Sequence, residues 1–280
     1  MKSIKILKRV QEHYEHLISL GYDVVFTCLQ GSQNYGLDEY SEDYMSDVDT
    51  KSIVLPSIDD VVNATSPVSE VIVLENNEHA EVKDIRVMFD MFKKMNISYI
   101  ELLYSNYIIF NPAWIGLIEP LFANKELVSS YNRNQFLRCI AGMAMEKRKA
   151  LCHPYPSIVD KIEKYGYDGK QLSHCARLYE FILKYTEGFP LEKCYRSQEQ
   201  ELLMNYKKQL DREGNPLSRE GAIELCDTYC KLVKDVKDAA VTDEDEVNPD
   251  AWKFLREIQA RIIKEKLRRE MKNEFCMINR

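Results

Sequence analysis

No apolar run in the chain approaches the ~20 residues that a membrane-spanning helix needs. The longest such stretch, from Tyr99 to Phe110, is broken by Glu101, so no membrane partner is expected. Excess positive charge is missing too: 38 Lys and Arg stand against 45 Asp and Glu, a net charge of −7. That balance argues against a general nucleic-acid coat, which needs a basic surface, and leaves room for a local basic cleft. Cys-x-x-Cys pairs are absent. The eight cysteines, at 28, 139, 152, 175, 194, 226, 230 and 276, are scattered, and Cys226 and Cys230 stand at helical spacing. Without the spacing of zinc ligands they read as reduced thiols used as small apolar residues. The N-terminus carries Lys2, Lys5, Lys8 and Arg9 and has no apolar h-region, so no signal peptide is expected and the protein reads as cytoplasmic. Internal repeats and low-complexity segments are lacking.

What is present describes a globular protein. Apolar residues make up 45% and charged residues 30% of 280, ordinary proportions in a chain long enough for two domains. Ile4, Leu7, Tyr14 and Leu17 recur at helical spacing and predict a helix over ~2–20, ended by Gly21. Val24 to Leu29 predicts a short buried strand, and Gly31 to Gly36 a turn. Residues 37–45 are polar and acidic and read as a loop. Asp47 to Leu55 predicts a second strand, closed by Pro56. Val71 to Leu74 and Glu81 to Ile85 predict two more, the last followed by a helix from Arg86 to Met95. Beyond about residue 125 helical periodicity takes over, with helices predicted at ~133–151, ~157–164, ~169–186, ~197–211, ~217–239 and ~249–274. The expected class is α+β: a small α/β domain over 1–125, then an all-helical domain over 126–280.

Asp47-Val48-Asp49 carries the strongest chemical signal. Residues two apart in a strand point the same way, so the two carboxylates share a face while Val48 packs behind. Like charges on one face repel and make a poor strand. A bound cation offsets that directly, and hard divalent ions such as Mg²⁺ take oxygen ligands of this kind. The plainer reading is a solvated acidic edge. Upstream, Gly31-Ser32 follows the first strand. There a glycine lets backbone approach a phosphate, and the hydroxyl and nearby N–H groups can bond its oxygens. Alone, a Gly-Ser pair is more often only a turn. A third carboxylate would complete a cradle for two cations about 3.5–4 Å apart, able to activate an attacking oxygen and stabilise leaving pyrophosphate. Asp84 is the expected third, as metal ligand or general base. Glu81 competes, and the two point to opposite faces of a strand. The structural alternative for Asp84 is an N-cap of the helix that follows it.

This constellation resembles the DNA polymerase β-type nucleotidyltransferase superfamily, which carries Gly-Ser, then Asp-x-Asp, then a distant Asp. It resembles more closely a branch of predicted bacterial and phage nucleotidyltransferases, some associated with RNA repair. Gly31-Ser32-Gln33-Asn34-Tyr35-Gly36-Leu37 matches that branch's Gly-Ser-x-x-Tyr-Gly-Leu, and Ser46-Asp47-Val48-Asp49 its Ser-Asp-x-Asp. Asp84 with Asn96 and Ile100-Glu101-Leu102-Leu103 resembles its next block. Lys164-Tyr165-Gly166-Tyr167-Asp168-Gly169-Lys170, with His174 and Arg177-Leu178, resembles its helical-domain block. One departure is the acidic loop between Leu37 and Ser46, which is about four residues longer than usual in that branch.

The resemblance implies a nucleotidyltransferase catalytic domain with a mixed sheet over 1–125 and a helical domain over 126–280 that closes on the nucleotide. It implies an NTP substrate and two Mg²⁺ ions, with Mn²⁺ able to replace them. Gly31 and Ser32 would hold the β/γ-phosphates, Asp47 and Asp49 both metals, and Asp84 would serve the acceptor. Tyr35, Lys170, His174 and Arg177 would bind the nucleotide. The last three fall at i, i+4 and i+7, opposite an apolar stripe of Leu172, Ala176, Tyr179 and Leu183. Lys170 lies near a helix N-terminus, where a cation is disfavoured, and the stripe lacks acidic i+4 partners. A solvated basic face is the competing reading. Asn96 and Glu101 read as structural, and the Lys- and Arg-rich C-terminal helix as a solvated amphipathic helix.

The expected activity is transfer of an NMP from an NTP to an acceptor hydroxyl with release of pyrophosphate. An RNA end, a protein hydroxyl and a small molecule stay open as acceptor. Two alternatives stand beside it. A metal-dependent nucleotide-sugar glycosyltransferase also uses an Asp-x-Asp strand, and a non-catalytic nucleotide-binding regulator is motivated by the acidic insertion.

Overall fold

The computed structural model describes residues 2–38, 46–74, 77–243 and 246–278. The acidic loop, apart from Asp38, lies outside the described residues. The chain forms two compact units. The first comprises residues 1–34, 38–132 and 246–280, and the second 35–37 and 133–245.

The first unit is built on a five-stranded sheet in the order β3-β4-β2-β1-β5. Helix α1 (Lys2–Ser19) leads into β1 (Val24–Gln30), a single turn α2 (Ser32–Tyr35), and β2 (Asp49–Val54). The short α3 (Ile58–Val62), β3 (Ser69–Val73), β4 (His79–Asp84) and α4 (Ile85–Lys93) follow. Then come α5 (Ile97–Ile100), a 3-10 turn at Glu101–Tyr104, β5 (Ile108–Phe110), α6 (Ile115–Ala123) and α7 (Lys125–Ser129). The sheet is mixed: β2 runs parallel to β4, and the other neighbours are antiparallel. The fold is therefore α+β, as the sequence predicts. The strand β5 is not foreseen, because three apolar residues inside a longer apolar run fit helix and strand equally.

Alternation assigns the two faces of the sheet. Leu17 of α1 packs with Val24, Val54, Ala80 and Val82, and Ile6 and Val10 pack with Leu29 and Val48. Each buried Val, Leu or Ile among them contributes about 1.5–3 kcal/mol. The even-numbered residues of β2 and β4 thus face α1. Asp49, Lys51, His79 and Glu81 face the other way, where Lys51 Nζ sits 4.2 Å above the Tyr99 ring of α5.

The last helix, α14 (Pro249–Ile278), joins the first unit, not the helical one expected over 126–280. Lys266, Arg268 and Arg269 find acidic partners within the same unit. Lys266 Nζ lies 2.7 Å from both Asp23 and Glu270, Arg269 covers the Trp114 ring at 4.2 Å, and Glu270 accepts the Ile58 N–H at 2.6 Å.

The second unit is helical: α8 (Arg133–Ala150), α9 (Val159–Tyr165), α10 (Gly169–Thr186), α11 (Leu191–Tyr195), α12 (Gln200–Lys207) and α13 (Arg219–Ala240). Helix α10 lies against α8, α11, α12 and α13. Asp168 caps it, accepting the Lys170 N–H at 3.1 Å. Gly169 is required there, because a Cβ would stand 2.1 Å from the Tyr206 carbonyl oxygen. Among the described residues no helix is long and apolar enough to cross a membrane.

Candidate functional site

The antiparallel register of β1 and β2 places Gln30 opposite Asp49. The strand that runs out into Gly31-Ser32 therefore ends beside the strand that starts at the Asp-x-Asp. Gly31 has φ +98°, a left-handed conformation that favours glycine, and the space where its side chain would stand is open. The turn is anchored. Asn34 donates to the Leu29 carbonyl at 2.9 Å and accepts from the Ser105 hydroxyl at 3.1 Å. The buried Gln33 amide donates to the carbonyls of Ser46 and Asp47 and so ties the turn to the entry of β2. Asp47 is exposed, and its carboxylate has no partner among the described residues. Asp49 is half-exposed and accepts the His79 N–H at 3.2 Å, with His79 Nδ1 at 3.3 Å.

Behind this end lies a buried ionic network that the sequence does not announce. Glu78, only 3% exposed, accepts the N–H of Val48, the residue between the two aspartates, at 3.1 Å. Its other oxygen receives Arg9 Nη2 at 2.6 Å and Nε at 3.0 Å, and meets His13 Nε2 at 2.9 Å. The second His13 nitrogen bonds Thr50 Oγ1 at 2.9 Å. One carboxylate thus fixes the backbone between Asp47 and Asp49 to helix α1. The available signal was His13 itself, a polar residue on the apolar stripe between Val10 and Leu17.

Asp84 does not join Asp47 and Asp49. In the parallel β2–β4 pairing, Asp84 stands opposite Val54, five residues beyond Asp49. That is about 16 Å along the strand, and the side chain points to the α1 face. Asp84 is fully buried, caps α4 by accepting the Arg86 N–H at 2.7 Å, and holds the Arg86 guanidinium at 2.7–3.0 Å. The structural alternative accounts for every contact it makes. We expect Asp84→Ala to destabilise the protein by about 2–4 kcal/mol. The initial rate per folded molecule in any nucleotide assay should be unchanged, and denaturant unfolding beside an activity titration checks both.

Glu81 is the carboxylate that shares the face of Asp49. It pairs in register with Lys51, whose Nζ lies 2.9 Å from it, and Lys83 Nζ lies 3.1 Å away on the other oxygen. Burial pushes its carboxyl upward, but the two ammonium groups outweigh this and hold it below the usual carboxylate value. Parity alone separated Glu81 from Asp84. Only the strand register shows which of them lies beside the Asp-x-Asp.

In the second unit the expected basic stripe acquires partners. Arg177 is 6% exposed, its guanidinium stacks 3.8 Å over the Tyr35 ring, and its Nε and Nη1 bond nothing among the described residues. His174 is half-buried and Lys170 exposed. Lys147 of α8 and Lys207 of α12 add charge, the latter donating to the Leu37 carbonyl at 3.3 Å. Burial, then Lys170 and Arg177, depress Lys147. Burial, then Arg177, Lys147, Lys170 and Lys207, push His174 well below its ordinary value. The neighbouring positive charges thus disfavour further charge on Lys147 and His174, a strain that a bound anion would relieve.

This sets a pH dependence. His13 is also depressed, chiefly by burial. Both imidazoles have folded values below the unfolded ~6.5, so the unfolded chain takes up protons that the folded chain does not. Their contribution is complete above about pH 6.5 and is lost as the pH falls below it. We expect the melting temperature to drop between about pH 7.5 and pH 5.5, and His174→Gln to flatten that slope in scanning calorimetry.

No family model matches the chain, and no match is found among curated proteins or solved structures.

Proposed function

We propose that the protein is a divalent-metal-dependent nucleotidyltransferase that moves an NMP from an NTP to an acceptor hydroxyl and releases pyrophosphate. The observation that carries this reading is the β1–β2 register. It sets an open glycine turn and a serine beside an exposed aspartate, unpaired among the described residues, and a half-exposed one at one end of the sheet. Two such carboxylates fit a hard cation, Mg²⁺ or Mn²⁺, held by Asp47 and Asp49. When bound, the ion would neutralise phosphate charge and favour deprotonation of the acceptor. Gly31 and Ser32 would bond the terminal phosphates. Glu78 would keep the two aspartates in register through Val48. Within the second unit, Arg177, Lys147, Lys170, His174 and Lys207 would offer positive charge to an anion, with Tyr35 beneath Arg177.

Asp84 has no part in this reading. Glu81 is the third carboxylate on the same face, and its pairing with Lys51 and Lys83 limits it to a supporting place. The test is incubation with each α-labelled NTP, Mg²⁺ or Mn²⁺, and cell extract. Label in an RNA, a protein or a small molecule, with pyrophosphate released, supports the reading and identifies the acceptor class. Nucleotide binding with no label transferred points instead to a regulator, and turnover of labelled UDP-sugars to a glycosyltransferase.

A further inference from the structure

Cys175 lies on α10, and Cys226 and Cys230 lie one turn apart on α13, yet their three Sγ atoms fall within 4.8 Å of one another. All three side chains are buried. The Cys226 thiol approaches Cys175 Sγ at 3.2 Å. The Ala144 carbonyl of α8 accepts from Cys175 at 3.5 Å and from Cys230 at 3.4 Å. Apolar packing asks for burial of each cysteine and not for convergence of the sulfurs. Here two helices aim three sulfurs at one point, with a carbonyl oxygen on a third side. Sulfurs bound to a zinc-sized ion at ~2.3 Å stand about 4 Å apart, close to the separations here of 3.2 Å for Cys175–Cys226 and no more than 4.8 Å for any pair.

We infer that Cys175, Cys226 and Cys230 form a three-sulfur site for a thiophilic divalent cation of the zinc group. Soft thiolates select such ions, whereas the carboxylates of the first unit suit hard ones. Binding forms three metal–sulfur bonds and sends three thiol protons to solvent. The assembled site carries one net negative charge. Arg148 lies close by, its guanidinium held at 2.6 and 3.0 Å by Asp227, the residue that follows Cys226. Among the described residues no His, Asp or Glu completes the set, which leaves the fourth position to the Ala144 carbonyl or a water. The sequence shows only the Cys226/Cys230 spacing. Cys175, 51 residues away, is brought in by the packing of α10 on α13.

The test titrates the full-length, reduced, metal-free protein with Cd²⁺ as the probe. The expected result is a sulfur-to-cadmium charge-transfer band that saturates at one equivalent, with release of protons. X-ray absorption of the loaded wild-type protein should count three sulfur neighbours. Cys226→Ala and Cys230→Ala should each abolish the band, and Cys152→Ala should leave it intact. Absence of the band, its persistence in both α13 variants, or a shell of oxygen and nitrogen in place of sulfur overturns the inference. The X-ray absorption count decides the matter should the variants fail to fold.

Discussion

Asp49→Asn is expected to lower metal-dependent NMP transfer about 10²–10³-fold, the scale seen when a group that neutralises transition-state charge is removed. Asn keeps the shape and can still accept the His79 N–H, but it supplies no negative charge to a cation. Asp47→Asn should act likewise, because Asp47 has no other partner among the described residues. Both positions are solvated, so neither change should move stability by more than about 0.5 kcal/mol. Activity lost together with fold would assign these residues to structure. Activity retained by a folded variant would remove the Asp-x-Asp from the chemistry. Steady-state pyrophosphate release, measured beside thermal melts, separates the cases.

Glu78→Gln should carry the largest stability cost. Glu78 is nearly inaccessible and answers Arg9, His13 and the Val48 N–H together. An amide presents one acceptor and one donor group where a carboxylate presents two acceptors, so at least one of these partners is left unsatisfied. Removing one side of a buried charged pair costs about 3–5 kcal/mol. In a chain of this size that lowers the melting temperature by about 5–9 °C. Glu12→Gln is the control. Glu12 also bonds Arg9, but its side chain is 36% exposed, and its loss should cost no more than about 1 kcal/mol. Because Val48 lies between the aspartates, Glu78→Gln should also raise the Mg²⁺ concentration needed for half-maximal rate, at temperatures where the variant is folded. A fall in stability with no change in metal dependence would confine Glu78 to the core.

Much of this was legible. The α1 stripe, the β1 run and the helices from residue 133 onward follow from periodicity, because each buries one continuous face. Gly31-Ser32 and Asp47-Val48-Asp49 could be paired from sequence, since adjacent strands joined through a turn bring their ends together. What escaped depends on register between distant segments. Asp84 and Glu81 differ by three positions, and only the alignment of Lys51 with Glu81 places Glu81 on the face of Asp49. Glu78 looks like an ordinary loop acid until α1 brings Arg9 and His13 onto it. The basic density of α14 hid its attachment to the first unit, because the apolar side that docks there is narrow and its cations pair with Asp23, Glu265 and Glu270. Arg177 fits the helical stripe by spacing, but its burial over Tyr35 could not be read from that stripe.

The most direct test of the central claim is Mn²⁺ binding followed by electron paramagnetic resonance, in the presence of a non-hydrolysable NTP analogue, on wild-type protein, Asp49→Asn and Asp84→Ala. Tight, nucleotide-dependent binding is expected in the wild type and in Asp84→Ala, and its loss in Asp49→Asn. Binding that survives Asp49→Asn, or that disappears with folded Asp84→Ala, would contradict it.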